Sequence, residues 1–241
     1  MTAPHFFVDS ARPLEPGTHV TLSPEDSRHA LRSLRLRPGE AVTVSDDEGM
    51  VATGSLAEPE DGLAVVAVDA VRRAIRRPPI VSVAMAPPKG DRLSWAVQKL
   101  AELGVDEFVP LLTARTRREW DPDRADRVAG RLGQVARQAG MQSRRPFVTR
   151  VLPAIGLEEA LGVSATVVVL WEGADAGLSL PDEPSGVRLL IGPEGSFTDD
   201  EIELIRSGPG SLASLGEGIL RTETAAVVGA GLVLARYGRL G

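Results

Sequence analysis

Two glycine-rich stretches carry the residues whose types and spacing could do chemistry. Ile191-Gly192-Pro193-Glu194-Gly195 follows the apolar run VRLLI and precedes Thr198-Asp199-Asp200-Glu201, a capping-box pattern that opens a helix. Leu215-Gly216-Glu217-Gly218-Ile219-Leu220-Arg221-Thr222-Glu223-Thr224 again joins a strand-like run to a helix-like run. Loops at the carboxyl ends of parallel strands are where α/β sheets bind ligands. Gly192, Gly195, Gly216 and Gly218 allow close backbone approach, and Pro193 stiffens its loop. Leu215, Ile219 and Leu220 offer an apolar lining beside free amides and carbonyls, which suits a flat heterocycle such as adenine. Arg221 and Glu223 stand at the mouth of the following helix. Each has a plain structural alternative, as a helix-dipole partner or as a buried Arg221–Glu223 pair.

What is missing narrows the chemistry. The three histidines, His5, His19 and His29, all fall near the start, and there is no cysteine. That excludes disulfides, thiolate metal sites, a cysteine nucleophile, and a histidine triad or histidine metal site in the later part of the chain. No GxGxxG follows a strand and no GxxxxGK[ST] occurs, so neither phosphate-binding fingerprint is present. No metal site is expected. Group transfer from a donor with a built-in leaving group, such as a sulfonium, fits these limits, because the protein then has mainly to align donor and acceptor.

The elements that must position these loops divide into two styles. Up to about residue 70, short β-branched runs (5–9, 19–22, 41–46, 50–57, 63–71) alternate with turn residues. Ser23-Pro24 starts one helix among them, and Pro38-Gly39 ends it. This predicts a small antiparallel barrel over residues 1–74. RRAIRRPP (72–79) reads as the boundary. From 75 to 241 strands and helices alternate: strands at 80–86, 108–112, 166–171, 187–192 and 211–216, helices at 92–103, 122–142, after Thr198, and from Thr222 to about Tyr237. That rhythm implies a mostly parallel sheet covered on both faces. The last helix is apolar on several sides and is expected to be buried.

The net charge is −6, but its distribution is uneven. Residues 115–150 hold ten arginines (115, 117, 118, 124, 127, 131, 137, 144, 145 and 150) against four acids, while 151–241 is net −8. A basic middle segment in an acidic chain suits a phosphate-facing surface, although a solvated helix face would show the same pattern. No apolar run is long enough to span a bilayer and no signal-peptide pattern opens the chain, so a cytoplasmic location is the expectation.

Taken together, IGPEG-S-x-T-x-x-E and LG-x-x-I-L-R-x-E-T-A resemble the C-terminal signature of the RsmE family, the small-subunit rRNA uridine-N3 methyltransferases of the SPOUT superfamily. Lys89-Gly90-Asp91-Arg92-Leu93 and Gln98-Lys99-Leu100-Ala101-Glu102-Leu103-Gly104-Val105 resemble that family's K-x-x-R/K and Q-K-x-x-E-L-G-V elements. Gln142-Ser143-x-Arg145 resembles its E-Q-S-x-R element, with Met141 where the family often has Glu. His29-x-Leu31-Arg32 through Pro38-Gly39 resembles its N-terminal motif. The matches run from about residue 29 to 226.

The resemblance implies an α/β fold with a trefoil knot, preceded by a PUA-like barrel that helps to grip RNA. It implies S-adenosyl-L-methionine (SAM) bound largely by backbone groups of Leu170-Trp171-Glu172, Gly192 to Gly195, and Leu215 to Leu220, in particular Leu215, Gly216, Ile219 and Leu220. It implies a homodimer and a small-subunit rRNA substrate. Arg221, Glu223 and Arg145 become candidates for the chemical step, and Arg32, Arg35, Arg37, Arg115 and Arg144 for RNA contact. A non-catalytic RNA-binding factor would not need both glycine loops, and a small-molecule enzyme would leave the arginine-dense segment unexplained.

Overall fold

The computed structural model describes residues 3–9, 14–116, 120 and 122–240. Arg117, Arg118, Glu119 and Asp121 of the basic segment lie outside the described residues. The chain forms two compact units: Met1–Arg76 with Gly140–Val148, and Arg77–Ala139 with Thr149–Gly241. The first therefore takes in a segment, 140–148, far in sequence from the 1–74 read as the first domain.

In the first unit five strands form one sheet in the order β1-β3-β4-β5-β2: β1 (His5–Phe7), β2 (His19–Thr21), β3 (Ala41–Ser45), β4 (Met50–Leu56) and β5 (Val65–Arg73). Its β-branched alternation buries Phe6, Val20, Val42, Val44, Ala52, Val66 and Val68 on one side. The ladders are antiparallel except one, β1 with β3, which is parallel. The antiparallel expectation failed there because β1 reaches β3 without a hairpin. Gly54 sits where the register of β4 slips, and a Cβ there would lie 2.0 Å from the Ala67 carbonyl oxygen.

Between β2 and β3, α1 (Pro24–Arg28) starts at Ser23, whose hydroxyl accepts the Asp26 N–H at 3.1 Å. It continues as a wider π-type turn over His29–Ser33, closed by Leu34 N–H to the His29 carbonyl at 2.9 Å. The helical stretch ends there, short of Pro38-Gly39, and Arg35 takes a left-handed φ of 55°. Segment 140–148 is fastened within this unit: Ser45 donates to the Pro146 carbonyl at 2.7 Å, Asp47 accepts the Val148 N–H at 2.6 Å, and Arg76 stacks on Phe147.

In the second unit every ladder is parallel. The order is β12-β10-β11-β6-β7-β8, with β9 beside β7. These strands are β6 (Ile80–Met85), β7 (Glu107–Leu112), β8 (Arg150–Val151), β9 (Ile155–Gly156), β10 (Thr166–Leu170), β11 (Gly186–Ile191) and β12 (Ser211–Ala213). Both faces are covered, which is why these strands read as continuous apolar runs. Val81, Val83, Met85, Val168 and Leu189 face α2 (Arg92–Leu103), α6 (Thr222–Arg236) and the part of α3 (Pro122–Ser143) up to Ala139. Val109, Leu111, Val167, Val169 and Leu190 face α4 (Leu157–Leu161) and α5 (Asp199–Ser207).

Helix α2 buries Leu93, Ala96, Val97, Leu100 and Ala101, a stripe at helical spacing, and ends at Gly104 with φ 88°. The arginine-rich α3 inserts Leu132 and Ala136 into the core and leaves Arg124, Arg127 and Arg131 exposed. Beyond α6, Arg239 grips the buried Asp106 with two hydrogen bonds, at 2.6 and 3.1 Å, while Asp106 also accepts the Val81 N–H at 2.8 Å. The last helix, expected to be buried, is buried on one side only. Ala226, Ala230, Val233 and Leu234 are buried, but Val228 and Leu232 are 39% and 49% exposed, because only one side of α6 meets the sheet. No helix among the described residues is long and apolar enough to cross a membrane.

His5 gives the first unit a measurable pH dependence. Desolvation by burial, aided by Arg144 and Arg72, lowers its pKa from 6.5 to about 4, against an opposing interaction with the Arg145 backbone. The unfolded chain thus binds a proton between those values that the folded chain does not. Stability from neutral His5 is fully present above pH 6.5 and is lost as the pH falls towards 4. The loss is at most about 3 kcal/mol. Denaturant titrations at stepwise lower pH should show that His5→Leu removes this part of the slope. An unchanged slope would show that His5 protonates without cost.

Candidate active site

A cavity of about 590 Å³ opens at the carboxyl edge of the parallel sheet, where β10, β11 and β12 end. That volume suits a nucleoside-sized ligand. The loop after β10 contributes Trp171 and Glu172, next to Leu170 at the strand end. The loop after β11 contributes Gly192, Pro193 and Glu194, then Ser196 and Phe197. The loop after β12 contributes Ser214, Leu215, Gly218, Ile219 and Leu220, then Arg221 and Thr222 at the start of α6.

Three contacts tie the loops into one wall. The Thr222 hydroxyl donates to the Gly192 carbonyl at 3.2 Å. The Trp171 indole N–H donates to Ser196 Oγ at 3.2 Å, and the Trp171 backbone N–H to the Ala213 carbonyl at 2.9 Å. Gly192 is required by close packing: a Cβ there would lie 2.7 Å from the Phe197 ring. The Thr198–Glu201 capping box sets α5 directly behind this loop. A second oxygen of Glu201, Oε1, accepts the Ala114 N–H at 2.7 Å, which fixes the neighbouring loop and Arg115. The lining combines apolar side chains (Leu170, Ile191, Leu215, Leu220) with glycine backbone at 192 and 218, and Ile219 is 84% exposed.

Gly195 and Gly216 do not line the cavity. Gly195 abuts the Arg115 side chain, and Gly216 serves the turn through its φ of 130°. Arg115, read as an RNA contact, thus stands beside the IGPEG loop. Arg145 and Arg144 belong to the first compact unit, as do the exposed Arg32, Arg35 and Arg37.

Arg221 and Glu223 do not pair. Arg221 caps α6 with an exposed side chain, whereas Glu223 is buried at 6% exposure. Glu223 instead faces Arg92, with Nη1 to Oε1 at 3.8 Å, and Arg92 also pairs with Glu194. Arg92 lines the cavity but had no assigned role in the sequence. Its signal was the K-x-x-R spacing. Its partners Glu194 and Glu223 lie more than 100 residues away, and the pairing of β6 with β11 brings the start of α2 to the IGPEG loop. Ser196, Phe197, Ser214 and Ala225 were also missed as lining residues, although each is adjacent to a glycine loop or lies on the first turns of α6.

The chain is similar to known proteins in both sequence and fold. Residues 76–234 match the RNA methyltransferase domain family, and residues 22–69 match the RNA methyltransferase PUA domain family. The ribosomal RNA small subunit methyltransferase E of Mycobacterium bovis is 31% identical, over 97% of this chain and 92% of the relative. The chain belongs to the ribosomal RNA small subunit methyltransferase E family. Two solved structures of this kind contain bound SAM. A putative methyltransferase of Legionella pneumophila is 28% identical, with a TM-score of 0.88 over 98% of each chain. The methyltransferase E of Neisseria gonorrhoeae is 27% identical, with a TM-score of 0.87 and the same coverage.

The packing against Phe197 gives this family member a steric test. Gly192→Ala should cost about 1–3 kcal/mol in denaturant unfolding. Adding Phe197→Leu should recover part of that loss. If the double variant is no more stable than the single one, the ring is not what requires glycine at 192.

Proposed function

We propose that this chain transfers the methyl group of SAM to N3 of a uridine in 16S ribosomal RNA, as a homodimer in the cytoplasm. The observation that carries this reading is the cavity formed by the three loops after β10, β11 and β12, held together by the Thr222–Gly192 hydrogen bond. The residues present fit SAM. Leu170, Ile191, Leu215 and Leu220 offer apolar contact for adenine, and the glycine backbone at 192 and 218 offers amides and carbonyls without side chains in the way. Within the reading, Leu170, Trp171, Glu172, Gly192, Pro193, Glu194, Leu215, Ile219 and Leu220 hold the cofactor, Gly195 and Gly216 shape the loops that carry them, and the loops form part of a trefoil knot. When bound, SAM supplies an electrophilic methyl on a sulfonium.

The chain's own residues align the acceptor and deal with its proton. Uridine N3–H is a weak acid that ionises by itself only in alkaline solution. Glu223, buried and free of Arg221, is the group that takes this proton. N3 forms its bond to the methyl carbon as the carbon–sulfur bond opens, with the electrons staying on sulfur. Arg221 stabilises the charge developing on O2 and O4, or holds a phosphate, and Arg145 of the first unit is the other candidate for holding a phosphate of the RNA. The exposed apolar residues Val228 and Leu232 of α6 and Trp95 of α2 (45% exposed) support a partner chain on this face.

Deleting the gene should remove N3-methyluridine from small-subunit rRNA, as read by nucleoside mass spectrometry. Its persistence would defeat the assignment. In the purified protein, Arg221→Lys should keep SAM affinity and slow turnover, and unchanged turnover would dismiss Arg221 from the chemical step. RNA contact by Arg32, Arg35, Arg37, Arg115 and Arg144 should make log affinity fall with log salt at a slope of about −3.5 to −4.5. A flat dependence would dismiss that surface.

A further inference from the structure

Ser196 stands out in the lining of the cavity by its backbone. Its φ is 63°, in the left-handed region. Among the described residues, four other non-glycine positions share that sign, Arg35, Asp47, Asp61 and Arg144, and none of them lines the cavity. A Cβ in this region crowds the following carbonyl oxygen, so glycine is favoured there and serine is strained. The turn before it explains the bend. Ser196 N–H donates to the Pro193 carbonyl at 2.9 Å, and the chain then places the Phe197 ring against Gly192. The bend does not explain the side chain, since glycine adopts it without strain. Strain of this kind persists where the side chain does something that glycine does not.

One contact shows what the side chain does. Trp171 Nε1 and Ser196 Oγ lie 3.2 Å apart. An indole N–H only donates, so the serine oxygen is the acceptor. That assignment settles what the serine has left to offer. Its hydroxyl hydrogen remains a donor, and none of the described residues accepts it. Trp171 is itself well anchored. Its backbone N–H donates to the Ala213 carbonyl at 2.9 Å, and the Arg206 guanidinium lies 5.8 Å from its ring centre. Gly173 packs against the same ring so closely that a Cβ there would lie 2.5 Å from it. Trp171 and Ser196 both line the cavity.

We propose that Ser196 is a cofactor-binding residue whose hydroxyl donates a hydrogen bond to an acceptor atom of SAM. Trp171 is its positioning residue, holding the serine oxygen through the indole N–H. This rests on the reading that SAM occupies the cavity. SAM carries acceptors of three kinds, the adenine ring nitrogens, the ribose oxygens and the carboxylate. A hydroxyl whose oxygen is already pinned has few directions left for its hydrogen, so little ordering remains to be done when the ligand arrives. The left-handed backbone brings the oxygen to the indole, which accounts for a strained serine where glycine would fit with less cost.

The test uses the full chain with Ser196→Gly, Ser196→Ala, Trp171→Phe and the double variant of Ser196→Gly with Trp171→Phe. SAM affinity is measured by titration calorimetry, and Tm is measured without SAM. Ser196→Gly should keep or raise Tm, because the strain is relieved, yet weaken SAM binding about three- to tenfold. Ser196→Ala should bind SAM as weakly but melt below Ser196→Gly, because it keeps the strain. Trp171→Phe should weaken binding by a larger factor in the parent than in Ser196→Gly. The change of ring is common to both backgrounds, and only the parent has the hydrogen bond to lose. Equal affinity in Ser196→Gly and the parent overturns the proposal. A fall in Tm that accompanies the fall in affinity also overturns it and assigns Ser196 to packing. Equal factors for Trp171→Phe in the two backgrounds overturn the role of Trp171 alone. A parent chain that does not bind SAM overturns the reading of the cavity instead.

Discussion

Parallel pairing of β6, β11, β10 and β12 governs the rest of this structure, because it brings the carboxyl ends of four strands to one edge of the sheet. Backbone amides and carbonyls at such an edge run out of ladder partners, so the loops that follow must satisfy them or offer them to a ligand. Each loop here does some of both. The Gly192 carbonyl is taken by Thr222, and the Ala213 carbonyl by the Trp171 amide, while the glycines leave room for a guest.

The opposite edge of the sheet is closed with equal care. Asp106, 3% exposed, is bound by the Val81 amide and by the fork of Arg239, whose Nη2 also donates to the Gly104 carbonyl at 3.0 Å. A buried charge pair of this kind is tolerable because its hydrogen bonds are filled. The contrast with Glu223 is informative. One buried carboxylate of the second unit is fully engaged, and the other keeps an oxygen without a hydrogen-bond partner among the described residues.

Helix α6 links these two edges. Its first turn supplies Thr222 and Ala225 to the cavity, and Arg239 just beyond its end reaches Asp106. Its packing against the sheet is close: a Cβ at Gly229 would lie 2.6 Å from Leu170 Cδ1, at the strand end that lines the cavity. Small residues (Ala226, Gly229, Ala230) make that approach possible, so the same run that looked merely apolar in sequence sets how near the helix can bring Glu223 to the loops.

By itself, the amino-acid sequence determined what depends on local pattern. The continuous apolar runs at 166–170 and 187–191, the capping box at Thr198, the stripe of α2 and the two glycine loops are all short-range signals, and each marks its element in the structure. Family membership was likewise legible in motifs within a few residues of one another. Tertiary structure alone decided what depends on strand order. Nothing local says that β1 lies parallel to β3, that 140–148 joins the first unit, or that α6 leaves Val228 and Leu232 uncovered. The short strands β8 and β9 and the single turn of α4 escaped notice because runs of two to five residues have no measurable period. The pairing of Glu223 with Arg92 belongs to the same class. Adjacent motif positions favoured Arg221, but a helix start turns neighbouring side chains in different directions, and the β6–β11 ladder supplied the nearer cation.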